Sequence, residues 1–123
     1  MNTHPDLKYS KSHEWVKETG NGQFKIGLSD FAQKELGDIV YVNLPQAGDE
    51  LKAGASFGDI ESVKAVSDIL SPINGIVKDV NAAVASAPDS INKAPYDSWL
   101  ISAEGSVGEE LLSAEEYDKF VKG

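Results

Sequence analysis

Cysteine is absent from this 123-residue chain. There is therefore no disulfide, no thiolate nucleophile and no cysteine metal ligand. Arginine is absent too: all 11 basic residues are lysines, set against 20 acidic residues, for a net charge of −9. Without guanidinium the chain lacks the planar fork that grips phosphates and carboxylates in pairs. An acidic surface also repels a nucleic-acid backbone, and its fitting counterparts are basic faces on partner proteins. Histidine occurs only at His4 and His13. A histidine zinc site is thus unsupported. A Ser-His-Asp triad would have to use one of these two, and no Gly-x-Ser-x-Gly elbow accompanies them. No apolar run reaches the roughly 18 residues of a membrane span. The opening "MNTHPDLKYSKSHEW" has neither an apolar h-region nor an arginine-rich amphipathic pattern. The expectation is a cytoplasmic bacterial chain, with a mature mitochondrial form as the second reading. These absences argue against a self-sufficient enzyme.

What is present is a chain 41% hydrophobic and 25% charged, the balance of a globular protein. Its length predicts a single domain spanning 1–123. Most of it reads as short strands separated by turns: "EWVKE", then "GNG" as a hairpin signal, "QFKIGL", "DIVYVNL" closed by Pro45, "PQAGDEL" as a turn, "SFGDIESV", "VSDIL", a turn and strand in "SPINGIVKDV", and "SWLIS". The stretch 81–95 is low in large apolar residues and reads as a long loop. Two helices are expected. "SDFAQKELG" has cap residues at its start and Gly37 at its end. In "LLSAEEYDKFVKG", Ser113 and Glu116 form a capping box and Leu112 can staple onto Tyr117. The fold class is mostly β, a small barrel or sandwich with a short internal helix and a C-terminal helix. A faint echo links "GDIVYVN" with "GIVKDVN". An approximate two-fold relation between these units would put the residues between them at a hairpin end.

Lys64 stands in that interval, in "GDIESVKAVSD". Strand-like segments flank it closely, so Val63-Lys64-Ala65 must turn without glycine, asparagine, aspartate or proline, the usual turn residues. One reading is a solvated lysine at a strand end. A catalytic amine would need burial or a cationic neighbour to depress its pKa, whereas Asp59, Glu61 and Asp68 favour the ammonium. A third reading is an amine presented for modification, with small neighbours leaving room for a modifying enzyme.

The motif "ESVKA" followed by "SD" resembles the lipoylation site of the glycine cleavage system H proteins. "LKYSKSHEWV", "IGLSDFAQKELGDIVYVNLPQAGDEL" and "INKAPYDSWL" are similar to that family's opening, middle and late segments, in the same order. The resemblance implies a flattened, two-sheet, lipoyl-domain-like fold. It also implies lipoic acid in amide linkage at Lys64, and a carrier rather than an enzyme. The implied partners are the pyridoxal-phosphate P-protein, the tetrahydrofolate-dependent T-protein, the flavoprotein L-protein and a lipoylating enzyme. The implied cargo is the aminomethyl group of glycine. Absence of cysteine suits an imported dithiolane, because a protein thiolate beside it could form a dead-end mixed disulfide. A tethered arm raises the effective concentration of cargo at a docked partner.

The same resemblance gives Glu61 a part in recognition by the lipoylating enzyme, and places Ser12, Glu14 and Asp68 at a cleft into which the loaded arm folds. Read without it, these are strand-end and loop polar residues. A histidine that the family contributes to that cleft has no match here, and Glu35 stands at its position. Trp15 and Trp99 read as packing residues, and Tyr96 and Asp97 as parts of a turn. Four alternatives compete with the shuttle. A biotin carrier would place methionine beside the lysine, but the sole methionine is Met1. An H-like protein relaying lipoyl groups to other 2-oxoacid dehydrogenase complexes would share every motif. A small hydrolase or isomerase would act unmodified, and a purely structural β domain would carry no modification. The natural expectation for a shuttle is a monomer.

Overall fold

The computed structural model describes residues 3–122. In chain order its elements are β1 (Lys8–Tyr9), β2 (Glu14–Gly20), β3 (Gln23–Leu28), α1 (Asp30–Leu36), β4 (Ile39–Asn43), β5 (Glu50–Leu51), β6 (Ser56–Ser62), β7 (Val66–Leu70), β8 (Ile73–Val80), α2 (Ala82–Ser86), α3 (Ser90–Lys93), β9 (Ile101–Val107) and α4 (Ala114–Lys122). The strands form a six-stranded sheet, ordered β1-β2-β3-β9-β8-β5, and a three-stranded sheet, ordered β4-β6-β7. Every pairing is antiparallel. Among the described residues no helix is long and apolar enough to cross a membrane.

Alternation of apolar side chains decides how the sheets meet. Val42 and Ile60 of the smaller sheet face inward and pack with Leu28, Ala32, Ile69, Val84, Ile91 and Leu100. Phe24, Ile26, Leu51, Ile73, Val77 and Ile101 fill the interior of the larger one. A third cluster joins Leu7, Tyr9, Trp15 and Tyr117, so α4 is fastened onto the N-terminal strands. Its capping box forms as read: Glu116 N–H donates to Ser113 Oγ and Ser113 N–H to Glu116 Oε1. Leu112 packs against the cluster that holds Tyr117. The echoing segments fall in different sheets, β4 in the smaller and β8 in the larger.

Three expectations needed correction. The 81–95 stretch holds two one-turn helices, α2 and α3, rather than a plain loop. Each buries a single apolar residue, Val84 or Ile91, which is too little to leave a helical period in the sequence. Glu50–Leu51, read as part of a turn, is a short strand against β8. The last strand is not "SWLIS" but begins at Ile101 and runs to Val107. Its second half, "AEGSV", reads poorly as a strand because of Gly105. That glycine lies opposite Gly75, where a Cβ would come within 2.0 Å of a backbone oxygen on the neighbouring strand.

Candidate functional site

The β6–β7 hairpin ends in Val63, Lys64 and Ala65, all exposed. Its turn chemistry lies one residue upstream of the stretch that lacked it. Ser62 Oγ accepts from the N–H groups of Lys64 and Ala65, both at 3.1 Å, and donates to the Ala65 carbonyl at 3.2 Å. The Ser62 N–H donates to the same carbonyl at 2.8 Å. A serine hydroxyl thus replaces the usual turn residues. None of the three turn residues has positive φ, so glycine is not needed. The unusual turn is explained locally and is not in itself a mark of function.

Lys64 forms no ion pair among the described residues. Asp59 and Asp68 instead face each other across β6 and β7, with Asp59 receiving Asn43 Nδ2 at 3.0 Å. Glu61 lies in register with Tyr41 and Val66, so it shares with them the outer face of the smaller sheet, one row from the turn. The stem of Lys64 runs against Gly37, the residue that closes α1 with φ +78°, and a Cβ there would stand 3.2 Å from Lys64 Cε.

That contact ties the lysine to a cleft, because α1 is also one of the cleft walls. The cleft, ≈ 280 Å³, is lined by Ser12, His13, Glu14, Leu28, Phe31, Ala32, Glu35, Leu36, Ile60, Ser67 and Asp68. It therefore brings together Ser12, Glu14, Asp68 and Glu35. Lys64 and Glu61 do not line it. A larger hollow of ≈ 520 Å³ shares Ser12 but includes no residue of α1 or of the lysine turn.

Glu14 is the most perturbed group in the cleft. Its residue is 1% exposed, and burial pushes its carboxyl up to about 7. Three donors oppose that shift: the hydroxyl of Ser10 at 2.6 Å, the hydroxyl of Ser12 and the Leu70 N–H at 3.3 Å. Both carboxyl oxygens are thereby held. A cation brought beside it would favour the carboxylate over the neutral acid.

His13 was weighed in the sequence only as a metal ligand or triad base, yet it lines the cleft. It has a left-handed backbone, φ 77°. Its Nδ1 lies 2.8 Å from the Tyr117 hydroxyl and its ring packs 4.8 Å from Phe31. Burial lowers its pKa, with the Glu35 charge pulling the other way. The available signal was its place between Ser12 and Glu14.

With this geometry in view, the comparisons with known proteins are specific. A family model described as glycine cleavage H-protein matches residues 7–123. The chain is 48% identical over 118 residues to the glycine cleavage system H protein of Lachnoclostridium phytofermentans, covering 95% of this chain and 93% of that one. It is 50% identical over 121 residues to the H protein of Carboxydothermus hydrogenoformans, covering 95% and 92%. Among solved structures, the glycine cleavage system H protein from Mycobacterium marinum superposes with a TM-score of 0.91 at 35% identity, covering 98% of this chain and all of that one.

Proposed function

This chain belongs to the glycine cleavage H-protein family, and we propose that it acts as one lipoyl-carrier domain whose Lys64 bears lipoic acid in amide linkage. The observation that carries this reading is the placement of Lys64. It is exposed at the tip of an open turn, free of ion pairs, with its stem against the end of α1, the helix that walls the acidic cleft. The residues present fit the group. The amine is accessible for acylation, and no cysteine is available to trap a disulfide. When bound, the lipoyl group supplies the dithiolane chemistry that accepts the aminomethyl group of glycine.

The protein's own contribution is to present, shelter and release. Lys64 presents the arm on a rigid hairpin. Glu61, one row from the turn and partly exposed, offers the lipoylating enzyme a charge in fixed register with the target lysine. Glu14 and Asp68 hold the cationic amine inside the cleft, and Leu28, Phe31 and Ile60 exclude water around it. Ser12 steadies Glu14. Glu35 supplies a further acceptor for the same amine. The partners are the P-, T- and L-proteins of the system, approached in the bacterial cytoplasm by weak contacts on an acidic surface.

Reconstitution tests the role. Lipoylated protein mixed with P-, T- and L-proteins, glycine, tetrahydrofolate and NAD is expected to support sustained glycine decarboxylation, and Lys64→Arg is expected to support none. Absence of turnover with the lipoylated wild type would favour a lipoyl relay to other complexes.

A further inference from the structure

One ionisable side chain of the cleft is left without a task by this reading: His13. The hydrogen bonds behind it fix which of its nitrogens carries a proton. Ser29 and Tyr117 are both fully buried. Ser29 Oγ caps α1 by accepting the Ala32 N–H at 3.1 Å. Its hydroxyl proton has one acceptor among the described residues, the Tyr117 oxygen at 2.7 Å. The Tyr117 proton must then go to His13 Nδ1, 2.8 Å away. The opposite polarity would leave the Ser29 proton buried without an acceptor, disfavouring it by about tenfold or more. His13 is therefore the neutral tautomer with its proton on Nε2. No protein group bonds that nitrogen among the described residues.

We propose that His13 is a binding residue of the cleft, offering Nε2–H as a hydrogen-bond donor to the carried arm, and that Tyr117 of α4 is the positioning residue that fixes this tautomer. The inference rests on the carrier reading for the identity of the arm. The other polar side chains of the cleft do not compete for the task. Glu14, Glu35 and Asp68 are acceptors suited to the cationic amine. The Ser12 hydroxyl is committed to Glu14, and Ser67 donates to the Asp68 carbonyl. The arm's amide carbonyl and its thioether sulfur are acceptors that ionised carboxylates cannot serve, and the Nε2–H is their complement. The C-terminal helix, which contributes no residue to the cleft lining, thereby acts on cleft chemistry through one hydroxyl.

Two measurements test this, and the first needs no lipoyl group. Long-range 1H–15N spectra of the unmodified protein at neutral pH, with His4 as the exposed reference, should show His13 unprotonated at Nδ1 and protonated at Nε2. Tyr117→Phe, which keeps the ring stacked on Tyr9, should lose this single-tautomer state. Protonation at Nδ1 in the wild type, or an unchanged pattern in Tyr117→Phe, overturns the assignment. For the second, protein whose lipoylation has been verified by mass is loaded with the aminomethyl group. His13→Asn tolerates the left-handed backbone and should lose the cargo about three- to tenfold faster, the worth of one hydrogen bond. An unchanged lifetime overturns the binding role. Failure of the carrier reading itself would appear earlier, as wild-type protein that gains no lipoyl mass, while the tautomer result would stand apart from it.

Discussion

Glu14 shows most directly what burying one ionisable side chain costs the fold. Burial pushes its carboxyl up to about 7 from an ordinary value of 4.5. A raised pKa means that the folded state holds the proton more tightly than the unfolded state. The stability from this group is thus fully present below pH 4.5 and is lost as pH rises through about 7. The loss is of order 3 kcal/mol. Glu14→Gln removes the titration while keeping atoms that can pair with Ser10, Ser12 and Leu70. The difference in unfolding free energy between wild type and Glu14→Gln, measured by urea titration across pH, should move in favour of the variant as pH rises. A pH-independent difference would contradict the assignment. Ser62 makes a second prediction: Ser62→Ala strips the turn of its hydroxyl bonds. It should cost about 1 kcal/mol, since the site is exposed, and should slow lipoylation more than it lowers stability. The place of Lys64 at a hairpin tip was legible in the sequence because its neighbours had to turn. The hydroxyl that makes the turn was not, since serine is common in strands and loops alike. Nor was the ionisation of Glu14, which depends on burial by β7 and on partners as distant in sequence as Leu70.

At the scale of elements, α1 does the connecting. Ser29 begins it, Phe31, Ala32, Glu35 and Leu36 face the cleft, and Gly37 ends it under the stem of Lys64. The left-handed Gly37 serves both the helix end and the lysine. Gly37→Ala should therefore destabilise the protein by about 1–3 kcal/mol, the cost of a side chain at φ +78° and ψ −154°, a region essentially reserved for glycine. It should also displace the lysine stem, so amide exchange in the 62–65 turn should rise together with the loss in melting temperature. A loss of stability with the turn unaffected would show that the two elements are not coupled. Both longer helices could be read from capping residues, because caps are local hydrogen-bond chemistry. α2 and α3 could not, because one-turn helices owe their existence to the pockets that receive Val84 and Ile91 rather than to their own propensity.

At the scale of the molecule, two antiparallel sheets hold a lysine-bearing hairpin at a fixed place beside an acidic cleft, and a net charge of −9 favours brief encounters with basic partner surfaces. The β class and the carrier resemblance could be read from motif order along nearly the whole chain. The cleft could be read only through that resemblance, since Ser12, Glu14, Glu35 and Asp68 come from separate elements. The tautomer of His13 could be read only from the fold, because the hydroxyls behind it come from the cap of α1 and from α4, 88 residues apart in sequence. The central claim is that Lys64 is the acylated residue. Expression with lipoate and a lipoylating enzyme, followed by intact-mass measurement and peptide mapping, tests it most directly. The account predicts one lipoyl amide per chain, on Lys64, and none on Lys64→Arg. An unmodified wild-type chain, or a lipoyl group on any of the other lysines, would contradict it.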